Sequence, residues 1–174
     1  DAKAGLFDVL KLSPSHSAAW YERGKLLFLE GFRAWYPVLL RLIAEGVPLS
    51  EVDPDKALVE FWKNARTDLD NAMGYSSISS PRLDERFLTQ GFIDLVEGRF
   101  HDAVINFTRV MGVNSVNADA CFGRAYAHLF LGDIGLSLVY VDRAILLQPD
   151  FTSAHVLHSL LFFAQNDVPR AMTV

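Results

Sequence analysis

Histidine, cysteine and carboxylate side chains bind metals, attack carbonyls and move protons. The spacing of these residues in this chain assembles none of those devices. His155 and His158 stand three residues apart, which sets them on one side of a helix as paired metal ligands require. No aspartate, glutamate or cysteine occupies the neighbouring turn to complete a coordination shell. The single cysteine, Cys121, lies in an apolar run and fills space rather than attacking a substrate. Asp68 and Asp70 are two apart, so on a helix their carboxylates diverge and form a solvated surface, not an acid–base pair. Asn106–Phe107–Thr108 spells a glycosylation triplet, but it falls within an apolar helical pattern in which Phe107 packs. The glycines are dispersed and form no phosphate-cradling loop, and no Ser–His–Asp grouping has positional support. The expectation is a non-catalytic chain without cofactor or metal.

What the spacing does build is a period. Pro14, Pro48, Pro81 and Pro149 are separated by 34, 33 and 68 residues, and the beat missing from the last gap falls at Ser115. Such a period is the signature of a stack of helix pairs. Ala18–Gly24 is followed by Gly31, Tyr36 and Pro48. Phe87–Gly91 is followed by Gly98, Ala103, Phe107 and Val110, and Cys121–Ala125 by Gly132, Ser137, Val141, Ala144 and Pro149. Each unit has a small residue mid-helix, where a neighbour must come close. A glycine (or Asn166) follows at the turn, where a left-handed backbone is cheap, and proline closes the pair.

This pattern resembles the tetratricopeptide repeat. Trp20, Gly24, Leu27, Gly31 and Pro48 fall on that family's signature places, as do Gly91, Gly98, Ala103 and Phe107, and then Ala125, Gly132, Ala144 and Pro149. Tyr36 stands where a small residue is usual, and Cys121 and His155 where tryptophan is usual. The resemblance implies an all-α, TPR-like superhelix, a helical repeat solenoid. An N-terminal block covers 1–50 (partial unit 1–16, unit 17–50) and a C-terminal block covers 84–174 (units 84–117 and 118–151, partial unit 152–174). Units cut at both ends suggest a fragment of a longer protein. On this frame His128, His155 and His158 take packing positions.

Residues 51–83 fit the repeat worst. Asp53 with Pro54 behind it makes a helix start. Leu58, Phe61, Trp62, Ala65, Leu69, Ala72 and Met73 then keep a helical apolar period up to Gly74. The reading is one long helix at about 54–73 followed by a Ser-rich linker. The alternative is a degenerate repeat broken near Ala65–Thr67. The stretch Phe32–Leu40 is the most apolar, and Pro37 inside it is expected to kink or shift a second helix. That stretch is either a core helix or a hydrophobic patch for a partner or membrane surface.

A net charge of −5 without a Lys/Arg cluster argues against nucleic acid. One cysteine excludes an internal disulfide framework and favours a reducing, cytoplasmic compartment. No apolar run is long enough to span a membrane. The hydrophobic fraction of 51% and thirteen phenylalanines exceed what neighbour-to-neighbour packing in an open array requires, so something further is buried.

By resemblance, first helices line a concave groove. Its lining in the C-terminal block is Leu88, Phe92, Leu95, Phe122, Tyr126, Leu129, Phe130, Val156, Leu160 and Phe163. Chaperone-binding members of the family grip a terminal carboxylate there with Lys, Arg and Asn. Leu, Phe and Tyr cannot, because a carboxylate buried without a cation costs several kcal/mol. The groove therefore suits an apolar or amphipathic helix or peptide of a protein partner, and the expected function is a scaffold or adaptor. Three occupants stay open: an internal cover by the chain's own 54–73 helix or by residues outside this fragment, a separate protein, or a second copy. The remaining alternatives are a non-catalytic repeat region of a larger enzyme and a peripheral membrane-complex assembly factor.

Overall fold

Apolar residues recur every three to four positions, and turn chemistry punctuates them, so the backbone satisfies itself as helices packed by one face each. The computed structural model describes residues 2–47, 56–79 and 83–171, and contains eight helices in them. They are α1 (Ala2–Leu12), α2 (Ser17–Ala44), α3 (Lys56–Ser79), α4 (Leu83–Val96), α5 (Phe100–Val113), α6 (Ala118–Phe130), α7 (Ile134–Leu147) and α8 (Thr152–Ala171). Sequential helices pack on each other, and α2 also reaches α4 and α8.

The C-terminal half follows the 34-residue frame. Gly98 and Gly132 have φ of 71° and 81° and end α4 and α6. In each turn the amide after the glycine closes back on the helix: Arg99 N–H donates to Asp94 O at 2.8 Å, and Asp133 N–H to His128 O at 2.9 Å. These paired bonds satisfy last-turn carbonyls that would otherwise be orphaned. Asn117 caps α6 by accepting from the Ala120 amide at 2.8 Å. Gly91 and Gly123 clasp the fully buried Phe107 ring, so close that an added Cβ at either would overlap it. Ser137 donates to the Ala125 carbonyl at 2.6 Å and ties α7 to α6.

The N-terminal half departs from that frame. The turn expected at Gly31 is absent, and α2 runs unbroken for 28 residues, through Pro37. The reason lies in the sequence on either side. Gly98 and Gly132 are exposed, whereas Gly31 is buried, and Phe28, Phe32, Trp35 and Leu39 carry one apolar stripe straight past it. Over Lys56–Ser79 a single helix forms, without a break near Ala65–Thr67. It starts at Lys56 and runs through Gly74 to Ser79, beyond the expected stop. Asp53, Pro54, Pro48 and Pro81 lie outside the described residues. The turn expected at Asn166 is likewise replaced by continuous helix.

α2 and α3 therefore form one long hairpin where two ordinary units would supply four shorter helices. Gly24 lets them approach: an added Cβ would come 2.9 Å from Leu69 Cγ and 3.1 Å from the Ala65 carbonyl oxygen. Arg23 grips Asp68 with both ends of its guanidinium, at 2.7 and 2.8 Å, and Asp68 is only 4% exposed. Trp35 and Trp62 meet edge to face at 5.6 Å. The core runs continuously from this pair into α4–α8.

Candidate functional site

The inner face of α4, α6 and α8 carries the lining residues expected from the sequence, and the structure draws most of them into one seam. Phe92, Phe122, Leu129 and Leu160 are fully buried, and Leu88, Leu95, Tyr126 and Phe130 nearly so. Val156 is half-buried, while Phe163 is exposed and stands apart from the seam.

The seam is filled by the chain itself. The Phe28 ring meets Phe92 at 5.5 Å and Tyr126 at 5.1 Å, and Phe32 meets Tyr126 at 5.4 Å and Phe122 at 6.1 Å, each edge to face. Trp35 stacks on Phe130 at 5.8 Å, and Phe130 in turn stacks on Phe100 at 4.9 Å. All of these donated rings come from α2. Of the occupants left open by the sequence, the 54–73 helix would have brought Phe61, Trp62 and Leu69 against Phe92 or Tyr126. Instead α3 lies behind α2, where Leu69 packs by Gly24 and Trp62 meets Trp35, and the Phe61 side chain is outside the described residues. Within the apolar stretch Phe32–Leu40, Phe32, Trp35 and Leu39 enter the core, Tyr36 and Leu40 are half-buried, and Arg33, Ala34, Pro37 and Val38 are exposed.

One end of the seam is polar. Lys25 Nζ sits 2.8 Å from Asp119 and 2.9 Å from Glu22, and the Tyr21 hydroxyl donates to Asp119 at 3.3 Å. Burial pushes the Tyr21 phenol well up, and Asp119 adds to that push. Burial alone would lower the Lys25 ammonium, but the charges of Asp119 and Glu22 outweigh it and hold it above its ordinary value. Lys25 thus keeps the charge that pins α2 to the start of α6.

The groups with chemical potential are placed for packing. Cys121 is buried, and that burial raises its thiol against the opposing pull of Arg143 and Arg124, which leaves it a poor nucleophile. His155 and His158 do not converge: His155 Nε2 bonds the Pro149 carbonyl oxygen at 2.8 Å, and His158 Nε2 lies 3.2 Å from Asp142. His155 is exposed, not the packed residue expected of it. Asp68 and Asp70 diverge as expected, toward Arg23 and Arg66 respectively. Asn106 is spoken for, donating to Asp94 at 2.7 Å. Among the described residues no group of three His, Cys, Asp or Glu side chains is placed to hold a metal, and no helix is long and apolar enough to cross a membrane.

Sequence reasoning missed the polar hub at Asp94, which is 2% exposed and accepts from Gln90, Arg99 and Asn106. Its only sequence signal is a lone carboxylate in an apolar stretch, Phe92–Val96, which must find donors when it is buried.

No protein-family model matches the sequence. A TPR repeat-containing protein of Methanocaldococcus jannaschii is 36% identical over 74 residues, which are 42% of this chain and 22% of that protein. The chain thus spans about a fifth of the length of the relative it matches. The crystal structure of MamA aligns over 98% of this chain and 80% of its own, with a TM-score of 0.47 and 15% identity. The glycine-ended hairpins of α4–α7, repeating every 34 residues, and the match to a protein named for the same repeat make this chain similar to tetratricopeptide repeat proteins.

Proposed function

We propose that this chain is a non-catalytic scaffold for protein–protein contact whose inner groove is occupied by its own second helix. The observation that carries this reading is the seat of α2: Phe28 and Phe32 fully bury their rings against Phe92, Phe122 and Tyr126. Each such ring is worth roughly 1.5–3 kcal/mol on burial. The lining expected to receive a partner's apolar helix does receive an apolar helix, one belonging to the same chain. Displacing it would expose several aromatic rings at once. A partner therefore engages the outer surfaces, and the aromatic seam serves to make those surfaces rigid.

The double substitution Phe92→Ser with Tyr126→Ser separates the two uses of the seam. Each truncation of a buried aromatic costs roughly 3–5 kcal/mol, against a total stability of about 5–15 kcal/mol for a domain. The expected outcome is loss of the cooperative thermal transition followed by circular dichroism. A variant that retains an intact transition would overturn the self-occupied groove and return the seam to an external partner.

A further inference from the structure

A second cleft, of about 540 Å³, opens between the end of α3 and the α4–α5 hairpin, away from the aromatic seam. Its apolar wall is Met73, Leu83 and Phe87, and its charged groups are Arg86 and Arg109. Among the described residues no carboxylate lines it. Gln90 and Asn106 also border the cleft, but their amides donate to Asp94, at 2.9 and 2.7 Å. Asp94 itself is buried and also takes Arg99, so it does not neutralise the cleft.

Among the described residues neither arginine meets a carboxylate. Arg109 lies over the Phe87 ring at 5.2 Å and reaches only the Asn106 amide oxygen, at 3.4 Å. Neither Arg86 nor Arg109 has an ion pair among the described residues. Elsewhere the prominent cations of this acidic chain are taken: Arg23 by Asp68, Lys25 by Asp119, Arg66 by Asp70 and Glu97, and Arg99 by Asp94 and Glu97. Helical geometry explains the segregation. Leu83, Arg86, Phe87 and Gln90 share one face of α4, whereas Asp84, Glu85 and Leu88 share the opposite face and line a different cleft with Tyr21 and Asp119.

We infer that this cleft docks an acidic segment of a partner protein, with a carboxylate between Arg86 and Arg109 and a neighbouring aromatic or aliphatic side chain against Phe87 and Met73. The forked guanidinium suits paired contacts to a carboxylate, and the apolar wall supplies an anchor that an isolated ion lacks. The choice of a protein as partner rests on the scaffold reading, but the cleft does not depend on what fills the seam.

The test uses the full chain and a short fluorescein-labelled peptide that alternates paired glutamates with phenylalanine, read by anisotropy. Saturable binding is expected, weakened about tenfold or more by R86Q together with R109Q and weakened by added salt. The same peptide with glutamine in place of glutamate is expected to bind at least about tenfold more weakly. Equal binding by the double variant or by the glutamine peptide, or no binding of the acidic peptide at all, would overturn the proposal. Complete displacement by low-millimolar inorganic phosphate would reassign the cleft to a phosphate ligand and equally sink it. Both arginines are exposed, and a thermal melt of the variant verifies its fold. Should it fail to fold, the salt dependence and the glutamine peptide on the unaltered chain decide. An intact seam with no peptide binding refutes the cleft alone, so this result is separable from failure of the scaffold reading.

Discussion

Single side chains in this molecule do structural work with groups that elsewhere do chemistry. Trp20 and His155 occupy matching repeat positions, and each bonds the carbonyl of the proline six residues earlier, at 2.7 and 2.8 Å. The histidine thus takes the place of tryptophan's indole N–H. His128 is buried, stacks on Tyr140 at 5.7 Å and faces Arg124 from the same helix and Asp133 at 3.5 Å. Burial, then Arg124, lowers its pKa from 6.5, and Asp133 only partly opposes them. A folded-state pKa below the unfolded one means the stability is fully present above about pH 6.5 and is lost as pH falls through the folded value. Thermal melts between pH 7.5 and pH 5 are expected to show His128→Leu losing less stability on acidification than the unaltered chain. An identical pH slope would remove His128 from the account.

At the scale of elements, α2 decides how this array differs from a regular one. Its 28 residues span about 42 Å, enough to run the length of the seam. Pro37 lies on its exposed side and lacks the N–H that would bond one turn back. The apolar stripe holds the helix together across that gap. Pro37→Ala is accordingly expected to stabilise the protein, by about 1–3 kcal/mol, seen as a raised denaturant midpoint at unchanged slope. A fall in midpoint would show that the proline's fixed backbone is needed to shape α2. The proline rhythm also has two meanings along the chain. In the C-terminal half one period spans a hairpin, whereas around residues 17–79 it spans a single long helix and its connection. A period identifies where the chain turns, but the phase of the apolar stripe decides whether a glycine inside it bends.

For the whole molecule, the seat of α2 changes the character of the array. A solenoid whose repeats touch only their neighbours can unfold piecewise. Here α2 contacts α4 and α8 as well as α3, and Lys25–Asp119 ties it to α6. These long-range contacts couple the N-terminal hairpin to the C-terminal repeats. All three tryptophans, at positions 20, 35 and 62, lie in α2 and α3, so their fluorescence reports on that hairpin while far-UV circular dichroism reports on every helix. The two thermal transitions are expected to coincide. A fluorescence midpoint several degrees below the dichroism midpoint would show that the hairpin detaches on its own.

The all-α class, the glycine-ended turns at Gly98 and Gly132 and the long helix after residue 55 were legible in the sequence. They rest on local rules: apolar period, the left-handed backbone at a helix end, and small residues where helices touch. Which helix fills the groove was not legible. Phe28 and Phe32 of α2 and Trp62 and Leu69 of α3 are equally apolar, and period alone does not distinguish a first neighbour from a second. Tertiary packing made that choice. Gly24 and the Arg23–Asp68 pair lock α3 behind α2, and Lys25 then finds Asp119 with the phenylalanines already aimed inward. Burial sums over neighbours that lie far apart along the chain, and so the seam's occupant was decided by the fold and not by any one stretch of sequence.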